Sequence, residues 1–551
     1  MTRLWQFLAA AILLPATIAA AGRADADIAL PAAGTWPDDT ALEAGGARIG
    51  QVKIRTLPIF EPGAPGEDKT LYHLADNWHI DTRDSVIEAQ LLFRPGDLYS
   101  RHKLDETARN LRDLRFVREP EIRIVGYHDG FVDLEIITHD VWTTNPGSAF
   151  GRSGGENSAG ISIEELNFLG RGKQLQFDYA QDVDRSSYTA SWRDPAIWGS
   201  RWRSDVSLRD SDDGDGLLVA IERPFYSLDT RWSTGGLYAQ DDTIEHVYRL
   251  GEQVAGFEQA KLLGEIQFGW SRGLQNGWTR RTTAGLRHEE ASFGYAPDEP
   301  VPAALPENRD FTYPFMRIEG IQDDFETARN LDQIARTEDR HFGVRYSFEL
   351  GWAEPVFGSD RSTAILRAEA SRGLRLGDDH SLFLFGSVAG RVEGSSVEDG
   401  LLAGGLRFHR GTGPRSLFFA GLGVEVGHNL DADHEVSIGG DSGLRGYPLR
   451  FQTGSGRALL TLEQRYFTNY SLWKIADIGG AVFFDVGRSW GDSAFGPTEN
   501  QGLLKDVGIG LRLGNTRSAL GNVLHIDLAF PFDGPGSLDD VQLLIQTKRS
   551  F

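Results

Sequence analysis

From about residue 145 onward, the chain alternates apolar and polar residues in segments of about ten, separated by Gly, Asp, Asn and Ser. KQLQFDYAQD, RWRSDVSLRD, SLFLFGSVAG and VLHIDLAFPF are examples. A period of two predicts β-strands whose successive side chains face opposite sides of a sheet. A closed transmembrane barrel needs this pattern over its whole length, and an extracellular multi-sandwich protein or a propeller is the alternative. We predict an antiparallel barrel over residues 145–551.

Residues 48–143 have a different pattern, which predicts one small α+β domain. RIGQVKIRTL predicts a strand, and helices are predicted near 82–92 and over RHKLDETARNLRDL. In the second helix Leu104, Ala108 and Leu111 fall on one face. Two alternating strands, EIRIVGY and FVDLEIIT, then form a predicted hairpin. The predicted order is β-α-α-β-β.

The first residues predict export. Arg3 precedes LWQFLAAAILLPATIAAA, an apolar run that ends in small residues, so residues 1–21 are expected to be a secretory signal peptide. Residues 22–47 are rich in Ala, Asp, Gly and Pro, and we expect a flexible linker there. Later residues contain no apolar stretch of about 18, so any crossing of a membrane must be made by strands.

Composition removes several classes of function. The formal net charge of -23 makes a nucleic-acid partner unexpected. The chain has no cysteine, which excludes disulfide frameworks, thiolate metal sites and cysteine catalysis. The 65 glycines and 31 phenylalanines suit a protein with many turns and much amphipathic aromatic surface. No cofactor is expected.

Charged residues in two neighbouring candidate strands are sorted onto one face. Asp485 in AVFFDVG should face the lumen, because an ionised carboxylate is costly against lipid. In ALLTLEQRYF, Glu463 and Arg465 share a face. Arg445 precedes both strands in a glycine-rich loop, and a loop tucked into the lumen would let it form a bidentate pair with Asp485. The alternative is that the two charges are hydrated separately.

Two motifs suggest other chemistry, and neither is adopted. GDSG around Ser442 looks like the setting of a protease nucleophile, but no histidine lies in a recognisable catalytic signature. The acidic segment 210–216 looks like part of a calcium loop, but it lacks the downstream glutamate and fits a hairpin loop better. We therefore expect neither a catalytic residue nor a metal site.

GGDSGLRGY, followed by LEQRYF and FFDVG, resembles the end of the barrel in the outer-membrane protein assembly and translocation superfamily, which includes BamA, TamA and the two-partner secretion transporters. The resemblance implies that Arg445, Gly446 and Tyr447 form the tip of the long sixth extracellular loop, which folds back into the barrel and is latched at Asp485 and Gly487. It also implies further site residues: Glu463 and Arg465 on the lumen wall, the loop glycines Gly439 and Gly440, and Phe551 as the barrel's C-terminal signal.

Other segments carry the same resemblance. EELNFLGRGKQLQ resembles the family's first turn at the periplasmic rim, and residues 48–143 resemble one polypeptide-transport-associated (POTRA) domain. Such domains bind extended client strands at a sheet edge, here expected within residues 121–137. The resemblance implies a mostly β fold with a 16-stranded antiparallel barrel. The alternating segments slightly outnumber sixteen, and the excess is assigned to loops or halves of strands.

The expected function is therefore not enzymatic. The protein is expected in the bacterial outer membrane, with its N-terminal domain in the periplasm, where it would insert, assemble or translocate polypeptides without nucleotide hydrolysis. The expected partners are the outer-membrane bilayer, an unfolded or extended client polypeptide and accessory periplasmic proteins. The alternatives are a passive diffusion porin with a periplasmic appendage, a two-partner-secretion-type exporter of one client and, from a third class, a secreted hydrolase acting through Ser442.

Overall fold

The structure is a computed structural model that describes residues 36–59, 80–334, 336–472, 476–495, 498, 501–515, 523–536 and 538–548. The expected signal peptide over 1–21 and the terminal Phe551 lie outside these residues. Within the described ranges, no helix combines the length and the apolar character needed to cross a lipid bilayer.

A small α/β domain occupies the N-terminal part. Its elements are α1 (Asp39–Ala44), β1 (Arg48–Leu57), α2 (Asp84–Glu88), α3 (Arg101–Asp113), β2 (Val117–His128) and β3 (Phe131–Asp140). β3 is the central strand, parallel to β1 and antiparallel to β2. Both sides of β3 are therefore paired, and the free sheet edges belong to β1 and β2.

The core of this domain lies between the sheet and the helices. Leu104 and Leu111 of α3 are buried at i and i+7, where they face Leu134 and Ile136 of β3 within one cluster. Each such side chain contributes about 1.5–3 kcal/mol by leaving water. Leu42 of α1 joins the cluster, so part of the segment expected to be a linker is helical. A helix of six residues is too short to show a helical period in the sequence.

Twenty strands form a closed antiparallel barrel. The first ten are β4 (Thr144–Ser153), β5 (Glu156–Phe168), β6 (Lys173–Gln181), β7 (Ser186–Asp194), β8 (Arg203–Ser211), β9 (Gly214–Arg223), β10 (Trp232–Arg249), β11 (Glu252–Gln275), β12 (Trp278–Tyr295) and β13 (Arg309–Gln322). The other ten are β16 (Val344–Ala353), β17 (Thr363–Arg375), β18 (His380–Glu393), β19 (Ser396–Gly413), β20 (Ser416–His428), β23 (Gly456–Leu472), β24 (Ala476–Trp490), β25 (Leu504–Asn515), β26 (Val523–Pro531) and β27 (Gln542–Lys548).

The prediction of sixteen barrel strands is wrong. The number sixteen is what the family resemblance implies. To agree with that number, the surplus alternating segments have to be loops or halves of strands. In the structure such short segments are complete strands: β8 and β9 pair along their whole common length, from Arg203 opposite Glu222 to Ser211 opposite Gly214. The local alternation was the better guide, because it reflects how each strand divides its side chains between two environments.

The two faces of the barrel wall differ as that alternation requires. On β16, Phe348, Leu350 and Trp352 are exposed on the outer face, whereas Glu349 between them is buried on the inner face. Glu349 accepts a hydrogen bond of 2.6 Å from Arg287 of β12, on the inner face of the wall. The outer face is thus apolar and the inner face carries paired charges, as expected for a wall between lipid and a polar lumen.

Two short hairpins are inserted between barrel strands. β14 (Phe325–Arg329) and β15 (Thr337–His341) join β13 to β16, and β21 (Val436–Ile438) and β22 (Gln452–Gly454) lie between β20 and β23. The N-terminal domain contacts the β9–β10 turn, where the buried Glu106 accepts the amide of Leu228 at 2.7 Å. We call this the domain end of the barrel. The β14–β15 hairpin also leaves the wall there, whereas the β21–β22 segment leaves at the far end.

Candidate functional site

The connection between β20 and β23, residues 429–455, is here called the lumen loop. Its central turn is held by local hydrogen bonds. The amide of Gly440 donates to the carbonyl of Pro448 at 2.9 Å, and the hydroxyl oxygen of Ser442 accepts from the amide of Gly439 at 2.8 Å. A Cβ on Gly440 would lie 2.6 Å from the carbonyl oxygen of Tyr447. The close approach of two chain segments therefore requires glycine at 440.

Arg445 at the tip of the lumen loop is buried against the inner wall. Its Nε and Nη2 donate to the two carboxylate oxygens of Asp485 on β24, at 2.7 and 3.0 Å. Nη1 donates to Glu463 on β23 at 2.8 Å. The guanidinium carbon lies 3.4 Å from the centre of the Phe483 ring, which supports the cation on its other side. The arginine is thus held by a bidentate pair, a second carboxylate and an aromatic face.

The next two residues fix the tip to β25. The amide of Gly446 donates to Asp506 at 3.0 Å, and a Cβ at 446 would lie 2.7 Å from the Cβ of Asp506. The hydroxyl of Tyr447 donates to the carbonyl of Lys505 at 2.8 Å. Gly487 on β24 gives room in the same way, because a Cβ there would lie 2.5 Å from Ile438.

The charges at the tip form a buried alternating row. Glu463 accepts from Arg445 with one oxygen and from Arg465 with the other, at 2.8 and 2.9 Å. Asp485 is fully buried, so its charge depends on Arg445 for compensation. Removing one partner from a buried pair costs about 3–5 kcal/mol, because the other charge stays in a poorly solvated place. The loop position is therefore strongly specified.

The lumen loop also binds strands far from its tip. Its acidic and basic residues pair with Arg249 of β10, Lys261 of β11, Arg309 of β13, Arg391 of β18 and Asp184 in the β6–β7 turn. The pairs are Arg249 with Glu435, Lys261 and Arg309 with Asp433, Arg391 with Asp431, and Arg450 with Asp184. These strands lie on several sides of the barrel, so the loop crosses the lumen.

The β14–β15 hairpin enters the lumen from the domain end. At its turn, Ile334 packs in a buried cluster with residues of four barrel strands, which are Leu417, Phe467, Ala481 and Val523. The Nη1 of Arg465 donates to the carbonyl of Leu331 at 2.6 Å and lies 3.7 Å from Asp332. The hairpin and the lumen loop therefore meet at the same wall pair, Glu463 and Arg465.

The base of the hairpin is bound to the N-terminal domain. Arg112 of α3 forms a bidentate pair with Asp339 at 2.6 Å for both bonds. Nε2 of His102 lies 3.0 Å from Asp323, which precedes the hairpin. A row of contacts thus runs from the domain through the hairpin to Arg465, and from there through Glu463 to Arg445.

The structure brings together most of the residues that the sequence singled out. The residues at the tip contact are Arg445, Gly446, Tyr447, Asp485, Gly487, Glu463 and Arg465, with Gly439 and Gly440 in the turn behind them. Their role as a latch stays a prediction. Ser442 lies in that turn, where its oxygen serves a backbone amide.

Sequence reasoning missed three further charges of the site. Asp506 on β25 receives the amide of Gly446, and Asp527 on β26 pairs with Arg512 and lies 3.6 Å from Arg445. Strand parity was the available signal in the sequence. Asp506 and Arg512 share one face of KDVGIGLRL, and His525 and Asp527 share one face of the next strand. The β14–β15 hairpin was also missed, because its short strands look like any other alternating segment.

Comparisons with known proteins give a short sequence match and low-scoring structural likenesses. No family model matches the chain. A protein of Treponema pallidum (strain Nichols), whose name assigns it provisionally as an outer membrane protein assembly factor, is 32% identical over 103 residues. The match covers 17% of this chain and 12% of that protein, so the chain spans a small part of that relative's length. Within this segment, the match confirms the resemblance to outer-membrane assembly proteins.

Solved structures with some likeness come from the same group of proteins. BamA from Haemophilus ducreyi lacking POTRA domains 1-3 has a TM-score of 0.38 at 14% identity, over 91% of this chain and 85% of that one. CdiB from Acinetobacter baumannii has a TM-score of 0.45 at 13% identity, over 92% and 74%. CdiB from Escherichia coli has a TM-score of 0.45 at 13% identity, over 91% and 76%. These scores are too low to carry an argument about fold or function.

Replacing Arg445 by alanine should lower the free energy of unfolding by about 3–5 kcal/mol, because Asp485 and Glu463 lose their buried partner. R445K should retain part of the stability, since it keeps the charge and loses the bidentate geometry. Urea titration of the purified barrel, followed by heat-modified migration in gels, measures the difference. R488A, an exposed arginine on the same strand, is the matched control and should change little. Equal stability of R445A and R488A would contradict the assignment.

The contact between the domain and the hairpin should depend on pH. The hydrogen bond to Asp323 raises the pKa of His102 above its usual 6.5 despite burial, with help from Glu106 and against Arg109. A group with a raised pKa stabilises the contact fully below its unfolded pKa, and this contribution is lost as pH rises through the folded pKa. Asp323 has a lowered pKa, because it accepts from His102, so it stays charged in that range.

Spin labels measure this effect directly, because the chain has no native cysteine. Labels at E88C in the domain and Q275C at the barrel rim should give a narrow distance distribution at about pH 5.5 and a broader one at about pH 9. H102Q should remove the pH dependence, whereas H128Q, at the other end of the domain sheet, should keep it. A distribution that is the same at both pH values in the unsubstituted background would refute the prediction.

Proposed function

We propose that this protein is an outer-membrane β-barrel that inserts, assembles or translocates polypeptides, with its N-terminal α/β domain in the periplasm. The proposal includes no catalytic residue and no cofactor. Its partners are the lipid bilayer of the outer membrane and an unfolded or extended client polypeptide, with accessory periplasmic proteins as further candidates. The observation that carries it is the crossing of the lumen by a loop from one end and a hairpin from the other.

That observation favours assembly or translocation over passive diffusion. A diffusion pore needs a continuous aqueous path, whereas here Arg445 and Arg465 are both buried at the place where the two inserted segments meet. Opening the lumen would separate Arg445 from Asp485 and Arg465 from the carbonyl of Leu331, which takes the bidentate partner from the buried Asp485. Such a barrel is closed at rest and opens when another interaction compensates these losses, as a client or a partner can.

Planar-bilayer recordings distinguish this proposal from a porin. The unsubstituted protein should give small or flickering conductance, and R445A/D485A should give larger and longer openings, because the loop tip loses its wall contact while no unpaired charge remains. R488A is again the control. Large and steady pores in the unsubstituted protein would favour the porin with a periplasmic appendage.

The route of the client is proposed to be the seam between the first and last strands. Among the described residues, a single registered pair, Ile545 opposite Arg152, joins β27 to β4. In contrast, β26 and β27 pair continuously from Val523 opposite Lys548 to Ala529 opposite Gln542. Within the described residues the register across the seam is thus much shorter than that between β26 and β27, which favours β-augmentation by a client at this place.

A disulfide across the seam tests this route. Residues directly opposite in an antiparallel pair lie within the reach of a disulfide, so I545C/R152C should close the seam under oxidation and stop client insertion. Reduction should restore it. L528C/L543C bridges the continuously paired neighbours β26 and β27 and should leave activity intact in both states. Insertion of a radiolabelled barrel client into proteoliposomes is the readout, and full activity of the oxidised seam variant would exclude this route.

The sheet of the N-terminal domain offers a first docking edge. The expected client edge over residues 121–137 is corrected by the topology, because β3 is paired on both sides and is not an edge. We propose the free side of β2 as the docking edge.

Export of one specific client, as in two-partner secretion, stays the second candidate function. Photo-crosslinking from Glu121 in cells distinguishes it from assembly of many proteins. Many crosslinked outer-membrane proteins favour assembly, whereas one secreted product favours export.

A further inference from the structure

A cavity of about 400 Å³ lies between the N-terminal domain and the domain end of the barrel. Its walls come from the α2–α3 connection and α3 on one side, and from the β7–β8 and β9–β10 turns on the other. Five cationic side chains line it: Arg94, Lys103, Arg201, Arg223 and Arg231. The cavity is separate from the lumen site.

The charges around this cavity are unbalanced. The three acidic residues that line it already accept backbone amides: Asp97 from Arg94 at 2.9 Å, Glu106 from Leu228 at 2.7 Å and Asp229 from Leu274 at 3.1 Å. Within the described ranges, none of the five cations forms an ion pair with a carboxylate. Arg201 donates to the carbonyl of Leu91 at 2.6 Å instead. Five cations and three carboxylates therefore line the cavity, so positive charge is in excess there.

Two of these guanidinium groups lie against the same aromatic ring. Arg201 lies 4.4 Å and Arg223 lies 5.1 Å from the centre of the Tyr226 ring, and Arg223 also lies 3.7 Å from the ring centre of Trp232. Burial lowers the pKa of Arg201 in its turn, and the charges of Arg223 and Arg94 lower it further against the opposing effect of Tyr226. The aromatic rings position the two cations, and an anion in the cavity that both line would offset their mutual repulsion.

Two residues that line the cavity lie on the outer face of the barrel. Ile221 of β9 is 49% exposed on the lipid-facing side, and Arg223, two residues later, shares that face. On β10, Trp232 shares the face of the exposed Tyr238. Trp198, in the neighbouring β7–β8 turn, is 97% exposed. Exposed tryptophans at the end of lipid-facing strands mark the level of the lipid headgroups.

We propose that this cavity binds the phosphate of a phospholipid headgroup in the leaflet on the domain side of the membrane, with Arg201 and Arg223 as the main donors. The proposal rests on the membrane location given under the proposed function. Guanidinium groups donate to phosphate through two parallel hydrogen bonds, which suits a pair of arginines fixed on aromatic rings. Arg94, Lys103 and Arg231 surround the same space and add attraction.

A bound headgroup would also bridge the two parts of the chain, since its donors come from the barrel and its surroundings include α3. The domain would then be held at a fixed height relative to the membrane surface. A client carboxylate is a different ligand, and the position of Arg223 and Trp232 on the outer face of the barrel favours the phospholipid.

Native mass spectrometry of the full chain, released from detergent after reconstitution with phosphatidylglycerol, tests the inference. The unsubstituted protein should retain bound phospholipid, and R201Q/R223Q should lose retention by at least about tenfold, because charged hydrogen bonds to the phosphate are removed. R201K/R223K should retain more lipid than R201Q/R223Q and less than the unsubstituted protein, because lysine supplies the charge without the two parallel hydrogen bonds of arginine. R280Q, an exposed arginine at the same end of the barrel and outside the cavity, is the matched control and should retain lipid normally.

Heat-modified gel migration establishes that every variant is folded before lipid is counted. Equal retention by R201Q/R223Q and R280Q overturns the proposal. Displacement of all retained lipid by inorganic phosphate, at a concentration equal to that of the lipid, assigns the site to free phosphate and also overturns it. Binding of a peptide carboxylate in place of lipid does the same. Lipid retention needs no client. Absence of retained lipid from the unsubstituted protein, with intact client insertion, therefore refutes this inference alone, whereas failed insertion with intact retention refutes the proposed function.

Discussion

The buried pair of Arg445 and Asp485 is the interaction on which the interior of this barrel depends. Desolvated charges are tolerated when they are paired and hydrogen-bonded, and here one cation serves two carboxylates and rests on Phe483. The neighbouring residues Gly446 and Tyr447 extend the contact of the loop tip to β25. The tip of the lumen loop is therefore packed and hydrogen-bonded against three neighbouring strands of the wall, β23, β24 and β25.

The wall pair of Glu463 and Arg465 connects the two inserted segments. Glu463 accepts a hydrogen bond from Arg445 of the lumen loop, which enters from the far end. Arg465 donates one to the carbonyl of Leu331 in the hairpin, which enters from the domain end. Because the two residues share a strand face and hydrogen-bond to each other, a change at one end alters the electrostatic surroundings of the other. The pairing of Arg112 with Asp339 extends this row of contacts to the N-terminal domain.

Much of this arrangement could be predicted from the sequence, and the limits have physical reasons. Period-two alternation predicted the barrel, and parity predicted that Asp485 and Glu463 face inward, since burial of a charge against lipid is costly. The glycines around Arg445 indicated a tight turn that carries a charge. The alternating segments indicated more than sixteen strands, but alternation alone does not show which of them pair as complete strands around the closed sheet. The contact of the hairpin with Arg465 joins residues distant in sequence, and no local pattern encodes it.

The corrected strand number has a consequence for the interior. The diameter of a barrel grows roughly linearly with the number of its strands, so the cross-sectional area grows with the square of that number. A wall of twenty strands encloses roughly one and a half times the area of a wall of sixteen. A single folded-back loop that fills the smaller bore leaves a gap in the larger one. Here the β14–β15 hairpin adds a second inserted segment, so the larger interior is occupied from both ends.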